Sequence, residues 1–260
     1  MNRRKLLGIA LIVIIFLGLC GTVAYVIIEL KDETDITIQQ VENTDAVKFK
    51  KEYEDLNDKQ DSDGVSYRTV SIDESNPIKY TTASDIVTKI DNKETFAVYF
   101  GYSESPLCRN IVESLIKSAK NSGVSNLFYV DIKSIRDNYE LDENHEAKRT
   151  VEGTEGYYSL LNKLDNVLKT YEPLIYTHKN KVGKTINEKI SIDEKRIYEP
   201  TIITIKNGTD IELIDRLSSD LGNDELTDEI KKSYESEFND LFKQINTTTT
   251  GEVCTPTSNC

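Results

Sequence analysis

Tryptophan is absent from this 260-residue chain, methionine occurs once, histidine twice and cysteine four times. The two histidines, His145 and His178, sit in unrelated contexts, which rules against a His-based metal site. Cations are also in the minority: 32 Lys and Arg face 45 Asp and Glu, a formal net charge of −13. Residues 1–29 carry +2, so residues 30–260 carry −15, and an acidic body of that kind repels phosphate backbones. A nucleic-acid partner is therefore not expected. Internal repeats are lacking as well. What is present is an ordinary globular mix, 38% apolar and 30% charged, which argues against wholesale disorder. The length suits one anchored domain of generous size or two small ones.

The single long apolar run is at the N-terminus. Residues 6–28 form an uncharged stretch of 23 residues, and a helix of that length rises about 35 Å, enough to cross a hydrocarbon core of about 30 Å. Arg3, Arg4 and Lys5 precede it, whereas Glu29, Asp32, Glu33 and Asp35 follow. The positive-inside bias then puts the N-terminus in the cytoplasm and residues 30–260 outside, on a single-pass anchor in the cell membrane. A cleaved signal peptide is the alternative, but the run exceeds the usual ~7–15-residue apolar region and no small-x-small cleavage site follows it. Leu17-Gly18-Leu19-Cys20 resembles a lipoprotein box except for the bulky Leu19, and Cys20 reads as a membrane-buried thiol.

Beyond the anchor the pattern divides the chain into a polar juxtamembrane spacer with a short helix (30–65), a domain (66–245) and a tail (246–260). Asn43-Thr44-Asp45 can cap that short helix, with Phe49, Tyr53 and Leu56 on one face. Tyr67 to Ile72 is a β-prone hexamer. Residues 82–92 read as a helix with Ile86 and Ile90 on a shared face, and residues 95–100 (TFAVYF) as a central strand. Ser105-Pro106 is a helix start, serine at the N-cap and proline at N1, where its missing N–H costs nothing. Residues 126–132 (NLFYVDI) supply a further strand, completing a βαβ unit with parallel strands. Residues 134–195 carry no chemical motif and read as an insertion, with a helix in 155–171 and a hairpin in 174–190 turning at Lys181-Val182-Gly183. Residues 201–205 and 211–214 make a hairpin about Asn207-Gly208, and 226–245 a closing helix.

Two segments resemble a known family. Val98-Tyr99-Phe100-Gly101-Tyr102-Ser103-Glu104-Ser105-Pro106-Leu107-Cys108-Arg109 resembles, without a gap, the thioredoxin active-site segment that runs from a central strand through CxxC to a basic residue on the next helix. Glu199-Pro200-Thr201-Ile202-Ile203-Thr204-Ile205-Lys206-Asn207-Gly208 is similar to the thioredoxin cis-proline strand and its hairpin. The layout is closest to membrane-tethered thioredoxin-like proteins of Gram-positive bacteria, some described as bacteriocin transport accessory proteins. The resemblance implies an α/β, thioredoxin-like fold: a mixed central sheet flanked by helices, with the 134–195 insertion, preceded by one transmembrane helix.

The resemblance also implies roles. Ser105 takes the place of the nucleophilic cysteine, Cys108 that of the resolving cysteine and Pro200 that of the cis-proline. Tyr99 stands where the family has a buried proton-shuttling aspartate, and Glu104 where it has tryptophan. Thiol–disulfide exchange needs a thiolate to attack and a second thiol to finish. A serine hydroxyl with no activating base replaces neither, so ordinary dithiol activity is not expected. Cys108 is then either a reactive monothiol near the positive helix end, aided by Arg109 and opposed by Glu104, or a buried small apolar side chain. Cys254 and Cys260, on the outward tail, are candidates for a disulfide with each other, or for a flexible pair that reaches back to Cys108. No cofactor is called for. Two functions follow: a tethered, extracytoplasmic thiol protein in cell-surface redox homeostasis, or a non-catalytic accessory or chaperone-like protein holding an extracytoplasmic protein or peptide in the groove.

Overall fold

The computed structural model describes residues 44–215 and 226–245. The expected membrane run 6–28, the tail, and with it Cys254 and Cys260 lie outside the described residues; among these no helix is long and apolar enough to cross a membrane.

Helix α1 (Asp45–Glu54) starts at Thr44, whose hydroxyl accepts from the Val47 amide at 3.3 Å. Phe49 and Tyr53, four residues apart, are fully buried in the same core as the sheet. This helix is therefore part of the domain and not of a spacer standing apart from it. Strand β1 (Ile78–Tyr80) leads to α2 (Ala83–Asp91), opened by a reciprocal capping box between Thr82 and Asp85. There follow β2 (Phe96–Gly101), α3 (Pro106–Asn121) and β3 (Leu127–Asp131). A small hairpin, β4 (Asn138–Leu141) and β5 (Ala147–Val151), precedes α4 (Glu155–Leu164). A second hairpin, β6 (Leu174–Lys179) and β7 (Thr185–Ile190), is followed by β8 (Thr201–Lys206), β9 (Asp210–Asp215) and α5 (Asp228–Lys243).

Five strands form one mixed sheet in the order β1-β3-β2-β8-β9. β1 and β2 run parallel to β3, whereas β8 is antiparallel to β2 and β9 antiparallel to β8. β2, in the middle, is buried throughout, which is why its sequence is a continuous apolar run with no polar face. Its side chains alternate between two cores. Ala97 and Tyr99 join α1, α3 and α5, through residues such as Ile111, Leu115, Phe238 and Phe242. Phe96, Val98 and Phe100 join α2 and α4, through Ile86, Tyr157, Leu160 and Leu164. The 134–195 stretch is thus only partly an elaboration: α4 covers one face of the sheet, and the two hairpins stand outside the five-stranded sheet. That helix ends at Leu164, earlier than the apolar spacing suggests; Leu168 and Tyr171 are buried from the segment after it.

Residues 67–72 differ from the sequence expectation. They join no strand. Side chains take the place of a strand partner: Asn57 accepts from the Val70 amide at 3.0 Å, Glu113 from Ser71 at 2.6 Å and Glu54 from Ile72 at 2.7 Å. Val70 and Ile72 are buried there, so the β-branched pattern reflects packing and not a ladder. The loop between the paired Lys206 and Asp210 holds three residues, and two of them, Asn207 and Gly208, have positive φ, 55° and 71°. At Gly208 a Cβ would lie 2.4 Å from the Ile90 carbonyl oxygen, so the turn also seats on the end of α2.

Candidate functional site

Strand β2 ends at Gly101 at one end of the sheet, and residues 102–105 turn the chain into α3. Ser105 is the N-cap: extended (φ −69°, ψ 122°), with its hydroxyl accepting from the Cys108 amide at 3.3 Å. Pro106 follows at N1. Phe100 is registered opposite Thr201, so the residues before β8 reach the same end of the sheet as the start of α3. The Glu199–Pro200 peptide bond there is cis and Pro200 is buried. The Tyr102 hydroxyl donates to Glu199 Oε1 at 2.6 Å, tying the two segments together across 97 residues of chain. Ser105, Cys108 and Pro200 are thus brought to one end of the sheet; Cys254 and Cys260 lie outside the described residues.

Cys108 is fully buried, and it is the one cysteine among the described residues. Burial pushes its thiol up to about 11, although hydrogen bonds with Tyr99, Ser105 and the Tyr102 backbone offset part of that cost. Beneath it the Tyr99 hydroxyl is hydrogen-bonded to Tyr53 at 2.8 Å, so three buried groups run in series, Tyr53, Tyr99 and Cys108. Both tyrosines are themselves held protonated by burial, and neither can act as a base. Gly101 is where these groups crowd closest to the backbone. A Cβ there would sit 2.6 Å from the Tyr99 hydroxyl and 2.8 Å from Cys108 Sγ.

Arg109, expected to favour a Cys108 thiolate, is committed elsewhere. Its guanidinium is buried and donates to the carbonyls of Arg68 (2.7 Å), Tyr53 (2.8 Å) and Ser103 (3.3 Å) and to Asn57 Oδ1 (2.7 Å). Desolvation lowers its pKa, and the Tyr67 ring lies 5.6 Å from Cζ. No carboxylate is among these partners; Arg109 clamps the segment 53–68 onto the helix that carries Cys108. Ser105 is 3% exposed and Ser103 and Asn110 are buried as well, so this start of α3 is closed to solvent.

A second arginine was not visible in the sequence as a site residue. Arg136 grips Glu199 through both carboxylate oxygens, and its Cζ lies 5.5 Å from the Tyr102 ring centroid. Burial raises the Glu199 carboxyl, but the Arg136 bonds and the Tyr102 hydroxyl outweigh it and leave the pKa below its ordinary value. The residue after Arg136, the fully buried Asp137, faces Arg196 at 3.5 Å, and Arg196 Nη1 donates to the Asp137 carbonyl at 2.9 Å. A half-buried cation, Arg136, and a buried one, Arg196, therefore brace the loop that ends at Pro200. Nothing in the local pattern around residue 136 marks it; only the fold puts it across from Glu199. On the other side, Glu104 pairs with Lys133 at 2.6 Å.

Among the described residues the arrangement offers no second sulfur beside Cys108 and no base for Ser105, and burial disfavours the Cys108 thiolate. Among the described residues no group of three or more His, Cys, Asp or Glu could hold a metal ion. A scan against models of protein families finds no match, and a search of curated proteins finds none either.

Proposed function

We propose that this chain is a membrane-tethered, outward-facing protein of the thioredoxin fold that holds an extended segment of another protein beside Pro200 and does not exchange disulfides through Cys108. The fold reading is supported by the strand order, by the antiparallel fourth strand of the sheet behind a cis-proline, and by the helix starting at Ser105 directly after the central strand. The tether rests on the sequence of residues 1–35. The observation that carries the choice of binding over redox chemistry is the complete burial of Cys108, with its thiol pushed up to about 11. An ordinary thiol near 8.5 is a few per cent thiolate at pH 7; one near 11 is about 300-fold less ionised.

Alkylation tests this directly. Iodoacetamide at pH 7 should modify Cys108 in the folded chain at least two orders of magnitude more slowly than in urea, and acid-quenched cells should yield no mixed disulfide through it. Modification at the rate of a free thiol, or a partner released by reductant and lost in Cys108→Ser, would overturn the binding reading in favour of a cell-surface redox role.

A further inference from the structure

We propose that the β6–β7 hairpin is a membrane-docking arm whose partner is the anionic lipid surface of the bilayer that carries the tether. The inference rests on the tethered reading given above. In a chain of net charge −13, residues 174–190 hold four lysines, Lys179, Lys181, Lys184 and Lys189, against one carboxylate, Glu188. All four lysines are exposed, and none makes an ion pair among the described residues. Three of them surround the turn, where Val182 is 86% exposed.

The arm is built to project. Its two strands pair only with each other, from Leu174 opposite Ile190 to Lys179 opposite Thr185. One face, Leu174, Tyr176, His178, Ile186 and Ile190, is half-buried, and the other is exposed. The ring stack that steadies it stops at His178, one strand pair before the turn: His145, from the β4–β5 turn, lies over Tyr176 at 3.7 Å, and Tyr176 over His178 at 4.9 Å. The acidic β4–β5 turn therefore meets the arm at Tyr176, and the lysines at the turn lie beyond it. A two-stranded ribbon without further support is marginal in water, so an exposed one with an apolar tip gains from a surface.

Charge complementarity favours an anionic partner, with a contribution of about fivefold in affinity for each lysine near an anionic lipid surface. Val182 decides between a lipid surface and a soluble polyanion: an apolar tip amid lysines gains from the headgroup–acyl boundary and gains nothing from a dissolved polymer. Reach permits the contact. Residues 29–43, between the apolar run and α1, can span up to about 50 Å, and tethering keeps the lipid at high local concentration.

The test uses the full chain in lipid nanodiscs and follows amide hydrogen exchange of residues 174–190. Phosphatidylglycerol discs should slow exchange across the arm at least fivefold relative to phosphatidylcholine discs, and about 0.5 M salt should remove the effect. Lys181→Glu/Lys184→Glu should abolish it, and Val182→Ser should weaken it. Equal exchange in both lipids overturns the proposal, as does equal protection by soluble polyphosphate added to phosphatidylcholine discs. A chain that fails to co-elute with the discs overturns the tether and this proposal with it, a result distinct from unchanged exchange in an embedded chain.

Discussion

At the start of α3, Ser103, Ser105, Cys108, Arg109 and Asn110 are all buried, and hydrogen bonds from Arg109 reach back to three backbone carbonyls and a side-chain amide. Along the β6–β7 arm four lysines and Val182 stand in solvent, and support comes from strand pairing and a short stack of rings. The α3 segment resembles a reactive centre in sequence, yet its groups are locked and shielded. The arm has no chemical motif at all, yet it presents unmatched charge to the surroundings. The segment that a motif search would choose is therefore shielded, whereas exposed and unmatched charge gathers where no motif is found.

The contrast can be broken most strongly at Arg109. Arg109→Met removes four hydrogen bonds, although Asn57 Oδ1 and the Tyr53 carbonyl keep a second donor in Val70 and Leu56, and should cost about 3 kcal/mol in urea unfolding, enough to expose Cys108 to alkylation. A loss below about 1 kcal/mol would mean that the clamp does not hold segment 53–68 in place. Gly101→Ala comes next: its methyl group meets Tyr99 and Cys108 and should cost about 2 kcal/mol by overpacking, an effect that Gly101→Ala/Cys108→Ala should partly relieve. Ser105→Ala removes the cap and should cost about 1 kcal/mol. Ser105→Cys should bring a second sulfur one turn from Cys108, so that oxidation removes both thiols in mass mapping and insulin reduction appears weakly. No gain in insulin reduction would count against the proposed fold.

A smaller effect tests burial itself. The folded Cys108 thiol titrates higher than the unfolded one, so the unfolded chain loses its proton first as pH rises. Stability should fall from about pH 8.5 to about 11, more steeply in the wild type than in Cys108→Ala, with the difference levelling off above that range. Parallel curves would mean that the thiol is solvated in the native state. Smallest of all, Lys181→Glu and Val182→Ser should change stability by no more than about 0.5 kcal/mol, because these side chains pack against little.

Much of the framework was legible because it is local. The Ser105-Pro106 start of α3 needs only a hydroxyl acceptor and a proline that lacks an N–H, and β2 advertises its central position by an unbroken apolar run. Other features depended on distant partners. Residues 67–72 have the composition of a strand, but Asn57, Glu54 and Glu113 satisfy their amides before any neighbour strand can. α4 looked like decoration because apolar spacing says that a helix has a buried face and not what buries it; here that is the sheet face of Val98 and Phe100. The β4–β5 hairpin, mostly polar, gave no period to read.

By itself the sequence determined most of the helices and the central strand, serine in place of cysteine at position 105, the cap it makes and the lopsided charge of residues 174–190, since composition and spacing of a few residues suffice for each. Tertiary structure alone decided that Arg109 serves backbone carbonyls instead of a thiolate, that Arg136 braces Glu199 beside Pro200, and that Cys108 is sealed. Burial, and with it the energy of a charge or a thiolate, is set by atoms that arrive from elsewhere in the chain, and no local pattern carries that information.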